Sequence, residues 1–256
     1  MKLFERHFGT GETVVILHGL FGQSDNWTSI ARKLGEKYCV YTFDLRNHGQ
    51  SGHSDEMNYR VMASDVLETI DGLGLDKIHL IGHSMGGKVA MLFGLTYPER
   101  LNSLVIADIG PRYYKPHHSD IITGLSNIDL SSLKSRQEAE NQVLDFIPDF
   151  GTRQFLLKNL YRLGENQFAW RFNLPVISRT IENIGEAIDS GLCQIATLFY
   201  RGSTSSYIKP EDIPAILNQF PHAQFEVMQD AGHWLHAEKP VEFIETIENW
   251  ISSQST

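Results

Sequence analysis

The sequence predicts an α/β fold: a mostly parallel, twisted sheet flanked by helices and interrupted once by an all-helical insertion. Three observations predict it. Apolar runs without polar alternation, Thr13–Leu17 and Leu101–Ala107 among them, have the composition of strands covered on both faces. Such runs alternate with helical patterns at the spacing of a doubly wound sheet. Finally, Ser84 stands between a strand pattern and a helix pattern, with glycine two residues away on either side.

Taken in order, Thr13–Leu17 is the first strand and runs into His18-Gly19-Leu20-Phe21-Gly22. Asp25 or Asn26 then caps a helix predicted to reach Lys37. Residues 39–43 form the next strand, with Cys39 as a buried small hydrophobe, and end in Asp44-Leu45-Arg46-Asn47-His48-Gly49. A helix over 59–73 precedes a strand over 76–81; a helix over 88–95 precedes a strand over 101–107. His18, Asp44, Ser84 and Asp108 thereby fall at the carboxyl ends of strands, where open α/β sheets place their sites.

From 111 to 190 the alternation stops. Helical patterns over 137–146, 152–163 and 179–191 predict an inserted all-helical cap, leaving 1–110 and 191–256 as the core domain. The sheet resumes over 194–200 and 223–228, and a helix over 240–251 closes the chain before a polar, frayed tail at 252–256.

Composition limits the functions to consider. With 22 basic and 31 acidic residues the formal charge is −9, which argues against a nucleic-acid or anionic-membrane surface. No stretch approaches the length of a membrane span, and the first residues become charged before a signal-like apolar run develops. The two cysteines form no CxxC pair, so neither a disulfide framework nor a zinc site is expected, and a reducing cytoplasm is the default.

Gly82-His83-Ser84-Met85-Gly86 fits the G-x-S-x-G elbow, in which a sharp strand-to-helix turn exposes a serine Oγ at the positive end of a helix. Two other readings compete. Gly82 to Lys88 also fits G-x-x-x-x-G-K, but Val89 stands where a phosphate loop needs Ser or Thr. A plain glycine-rich turn with an incidental serine is the other. A serine nucleophile needs a histidine base. Of the eleven histidines, His233 sits between the last predicted strand and the last helix, where a loop could carry it over the elbow. His236 is read as structural, since its spacing to His233 comes with no third ligand for a metal.

The residues His18-Gly19-Leu20-Phe21-Gly22, Asp44-Leu45-Arg46-Asn47-His48-Gly49, Gly82-His83-Ser84-Met85-Gly86-Gly87-Lys88, Asp108-Ile109-Gly110-Pro111, Trp170-Arg171-Phe172-Asn173 and Ala231-Gly232-His233-Trp234 together carry a resemblance. Over nearly its whole length the chain resembles the α/β-hydrolase superfamily, and within it the bacterial YbfF-type esterases and their eukaryotic abhydrolase relatives. The resemblance implies the α/β-hydrolase fold, a Ser84-His233-acid triad and no cofactor or metal. Most relatives place the acid in the loop read here as Arg201–Tyr207, which holds no carboxylate. Some members use a carboxylate after the preceding strand instead. Asp108 is therefore assigned the role, with Asp212 or a water-bridged partner as the alternative and a cap or turn residue before Gly110-Pro111 as the competing reading of Asp108.

The oxyanion donors are expected to be the backbone N–H of Met85 and one from the turn after His18-Gly19, Leu20 or else Phe21. His18 is read as a structural hydrogen-bonder, and Asn47 as either a left-handed residue or part of the pocket rim. Phe21, Tyr113, Tyr114, Phe155, Leu156, Leu160 and Trp170 are candidates to face the substrate, with burial in the core as the competing reading. The expected reaction is hydrolysis of a small-molecule acyl ester or thioester, acyl-CoA included, through an acyl-enzyme. For acyl-CoA, Arg112, Lys115, His117 and His118 stand as phosphate contacts against a solvated loop. A carbon–carbon bond hydrolase and a non-catalytic receptor on the same scaffold are the rivals.

Overall fold

In the computed structural model, which describes residues 1–164 and 167–254, the apolar runs become the interior strands of one seven-stranded sheet. The chain begins with β1 (Glu5–Phe8), β2 (Thr13–Leu17), α1 (Thr28–Leu34), β3 (Cys39–Phe43), α2 (Tyr59–Gly72) and β4 (Ile78–His83), then α3 (Met85–Thr96) and β5 (Leu101–Ala107). Residues 111–190 carry α4 (Ser119–Ser126), α5 (Arg136–Val143), α6 (Phe150–Leu157), β6 (Leu160–Gly164), β7 (Gln167–Trp170), α7 (Leu174–Arg179) and α8 (Ile181–Gly185). The sheet resumes with β8 (Thr197–Gly202), followed by α9 (Ile213–Gln219), β9 (Ala223–Met228), α10 (Leu235–Glu238) and α11 (Pro240–Gln254).

The strand order is β1-β3-β2-β4-β5-β8-β9, parallel throughout except where β1 meets β3. Successive residues of the middle strands serve opposite layers. Val15, Leu17, Leu80 and Ile106 pack with Val66, Ile70, Val89 and Phe93 of α2 and α3. Val14, Ile16, Ile81 and Val105 pack with Ile30, Leu34, Phe243 and Trp250 of α1 and α11. A strand buried on both faces has no polar alternation, which is why these runs were legible. Each such aliphatic side chain contributes about 1.5–3 kcal/mol on burial.

Several predicted elements differ. The antiparallel edge strand β1 was not expected; its half-exposed, charged residues hide the pattern. The insertion is not all-helical, because β6 and β7 form an antiparallel hairpin within it. The helix predicted over 152–163 stops at Leu157 because Asn159 is taken by tertiary contacts: its carbonyl accepts from Arg171 N at 2.9 Å and its amide donates to Phe21 O at 2.8 Å. The Arg162 guanidinium lies over the Phe168 ring across the hairpin. The helix predicted over 179–191 becomes α7 and α8, and the chain turns extended at Glu186, where the Lys88 ammonium claims the carbonyls of Gly185 and Glu186.

Smaller shifts occur elsewhere. The strand read over 194–200 lies at 197–202. The helix predicted to Lys37 ends at Leu34; a Cβ on Gly35 would lie 2.9 Å from Ala31 O and 3.1 Å from Phe8 Cβ, and one on Gly9 would lie 2.1 Å from Gly35 O. Neither Asp25 nor Asn26 is its cap; the Asn26 side chain accepts instead from the N–H of Gln23 within a preceding 3₁₀ turn. Cys39 is only partly buried, beside His7. Of the predicted frayed tail, 252–254 continue α11, and 255 and 256 lie outside the described residues. No helix among the described residues is long and apolar enough to cross a membrane.

Candidate active site

Only Ser84 separates β4 from α3, and it makes the turn at φ 52°, ψ −118°. Such a conformation is costly for a residue with a Cβ and is held by its surroundings. The flanking glycines are the means. A Cβ on Gly82 would lie 2.2 Å from Gly86 O, and one on Gly86 would lie 2.5 Å from Leu17 O. Strand, turn and helix therefore approach more closely than any other residue pair allows, and the first turn of α3 points its free N–H groups at the serine.

Asp108 follows β5, again at positive φ (52°), with its carboxylate fully buried. That carboxylate accepts from His233 Nδ1 at 2.7 Å, from Gly202 N at 3.2 Å and from the Ser205 hydroxyl. The Asp108 bond holds the proton on His233 Nδ1 and leaves Nε2 as the free acceptor. The loop between β9 and α10 that carries His233 is anchored by His83, whose Nε2–H donates to the His233 carbonyl at 2.8 Å. The Tyr207 ring stacks on the imidazole at 4.1 Å between centroids. Asp212 is elsewhere: it accepts from Lys209 N at 2.9 Å and pairs with Arg112 at 3.1 Å.

The turn after β2 rests on two buried histidines. His18 donates through Nδ1 to Gly19 O at 2.8 Å and accepts from Leu45 N at 2.9 Å. His48 donates through Nδ1 to Arg46 O and accepts the N–H of Phe21 at 3.1 Å. The Phe21 N–H is thus engaged within the turn. Burial holds both rings neutral, lowering His18 to about 4 and His48, with His18 beside it, to about 3. Burial likewise puts His83 well below its ordinary value, with His233 and His236 adding to the shift, and lowers His236, stacked on Trp27, to about 3. Asn47 takes the left-handed conformation, φ 63°, and is fully buried.

Ser84 and His233 open onto one cavity of about 480 Å³, walled by Phe21, Trp27, Ile121, Phe155, Leu156 and Trp234 among others. Of the candidate contact residues, Phe21, Phe155 and Leu156 line it. Leu160 and Trp170 do not; both are buried in the core, Trp170 stacked on Phe172. Tyr113 is also absent from the lining and is half exposed. Tyr114, its neighbour, is held inward by the bond from its hydroxyl to Tyr207 O. Arg112 is engaged by Asp212 and the Tyr114 ring, whereas His117 and His118 reach the cavity. Among the described residues no group of three or more His, Cys, Asp or Glu side chains could hold a metal ion.

Ser205, Tyr207, His83 and Asn159 were not singled out from the sequence. Ser205 left one signal: the loop in which an acid was sought reads Ser203-Thr204-Ser205-Ser206, hydroxyls in place of the carboxylate.

Comparison with known proteins gives a consistent neighbourhood. A family model described as the alpha/beta hydrolase fold matches residues 12–123. The chain is 40% identical to the sn-1-specific diacylglycerol lipase ABHD11 of Danio rerio over 93% of its own length and 78% of that protein. It is 35% identical to esterase YbfF of Escherichia coli over 93% and 92%. A solved marine microorganism esterase superposes with a TM-score of 0.94 at 41% identity, covering 97% of this chain and 98% of that one.

Proposed function

The chain belongs to the α/β-hydrolase family, and from that premise we propose that it is a serine esterase acting on small acyl esters and, by the same chemistry, acyl thioesters. Ser84 Oγ attacks the carbonyl carbon while His233 Nε2 takes its proton. Asp108 holds the imidazole in the required tautomer and stabilises its cationic form. The N–H groups of Leu20 and Met85 receive the oxyanion, at a fixed position that requires no reorganisation during the reaction. His233 then returns its proton to the leaving oxygen or sulfur, and water attacks the acyl-Ser84 ester by the same route in reverse.

The observation that carries this reading is the buried Asp108 carboxylate 2.7 Å from the Nδ1 of His233, a residue that lines the same cavity as Ser84. Ester-cleaving relatives support it, being named esterase and diacylglycerol lipase. In this reading 1–110 and 191–256 form the catalytic core, and 111–190 is a cap that supplies Ile121, Phe155 and Leu156 to the cavity. The two free cysteines suit a cytoplasmic setting.

Labelling with a fluorophosphonate tests the core of the proposal. The wild-type protein is expected to be modified, and Ser84→Ala is expected to resist modification and to lose hydrolysis of p-nitrophenyl acetate. Labelling that persists in Ser84→Ala would place the nucleophile elsewhere.

A further inference from the structure

A second, much smaller chamber also opens on Ser84. It measures about 40 Å³ against about 480 Å³ for the first. Leu20, Ser84, His117, His118 and Tyr207 line both chambers, but His233 lines only the larger one, and Met85, Ile109, Ile181 and Ile184 only the smaller. Building on the serine-esterase reading, we propose that the small chamber takes the acyl group and the large one the leaving group, so that the substrates are esters of short acids with bulky, largely apolar alcohols or thiols.

The assignment follows from the path of the proton. When the tetrahedral intermediate collapses, the bond from carbon to the leaving heteroatom breaks, and that atom takes the proton His233 Nε2 received from Ser84. The leaving group must therefore lie within reach of His233, in the large chamber. The acyl substituent points the other way, between Met85, Ile109, Ile181 and Ile184. A single water occupies roughly 10–15 Å³ of such space, so the small chamber has room for about three atoms beyond the carbonyl.

Its far wall is also tied down. The Tyr59 hydroxyl donates to Ile184 O at 2.6 Å, and Asn183 Nδ2 to Met57 O at 2.9 Å. Gly185 O accepts from Tyr114 N at 2.8 Å and from the buried Lys88 ammonium, which also donates to Arg112 O at 2.9 Å. Gly185 itself leaves no slack, since a Cβ there would lie 2.3 Å from Tyr114 O. A wall bonded at this many points resists the expansion a longer chain demands.

The test uses two ester series on the wild-type protein, each rate divided by that of alkaline hydrolysis. Along p-nitrophenyl acetate, butanoate, octanoate and dodecanoate, kcat/KM is expected to fall about tenfold or more between butanoate and octanoate. Along methyl, benzyl and naphthylmethyl acetates it is expected to hold or rise. An octanoate optimum, or a fall along the alcohol series, would overturn the assignment. In Ile184→Ala, hexanoate is expected to gain roughly tenfold relative to acetate. A folded Ile184→Ala that labels with fluorophosphonate and keeps the wild-type chain-length profile counts against the location; if that variant does not fold, the wild-type series still decides. Absence of labelling in the wild type removes the serine-esterase reading and this one with it, whereas labelling with a long-acyl optimum removes this one alone.

Discussion

Ser84 and Asp108 are both held at φ 52°, a region that side chains avoid, and each follows a central parallel strand. Strain of this kind is kept only where the surroundings over-determine it. At Asp108 the restraints include its N–H bond to Tyr200 O and the three donors on its carboxylate. Two substitutions separate the candidate acids. Asp108→Asn is expected to lower kcat by about 10³–10⁴-fold, because the amide leaves His233 in the wrong tautomer. Asp212→Asn only loosens a partly exposed pair with Arg112, worth about 1 kcal/mol or less, and should stay within about threefold of wild-type kcat. Steady-state rates on p-nitrophenyl acetate for the two variants decide the matter, and an inactive Asp212→Asn would reverse the roles.

Among the elements, the joint between α6 and β6 has the widest consequences. Asn159 is fully buried there, and its amide satisfies the carbonyl of Phe21, whose own φ is 60°. One side chain from the 111–190 segment thus supports the turn after β2, in which Leu20 is the proposed oxyanion donor. Asn159→Ala leaves that carbonyl unpaired in the interior, which should reduce stability by about 1–3 kcal/mol in urea unfolding. It should also cut kcat/KM about tenfold through a lower kcat, as a displaced oxyanion donor does. A variant with lowered stability and unchanged kcat would show that the turn stands without this prop. The helix predicted over 152–163 takes in the first strand of the hairpin, β6, whose residues pair with β7 instead. What ended the helix was a bond to a residue 138 positions away, which no local pattern carries.

Across the whole molecule, the buried neutral histidines make stability sensitive to acid. His18, His48, His83 and His236 all have lowered values in the folded state, at about 4, about 3, well below normal and about 3, against 6.5 for the free side chain. Below pH 6.5 the unfolded chain therefore binds protons that the folded chain refuses. Stability is full above that pH and falls as the pH drops from 6.5 towards 4, by about 1 kcal/mol per pH unit for each histidine fully engaged. Urea midpoints measured at pH 7, 6 and 5 should decline progressively, and a midpoint that does not change over this range would contradict the burial of these rings.

The sequence by itself determined a parallel sheet and the strand ends at which Ser84 and Asp108 sit, because burial on both faces and a glycine-flanked elbow are local signals, whereas the antiparallel edge strand β1 left none. It also determined membership of the family, through short motifs spread along the chain. Tertiary structure alone decided that the Phe21 N–H is engaged, since His48 lies 27 positions from it. It alone decided that Ser205 and Tyr207 attend the Asp108–His233 pair and that Leu160, Trp170 and Tyr113 do not line the cavity. The reason is common to all of these: a hydrogen bond or a cavity wall depends on where distant segments meet, and residue order records that only through the completed packing.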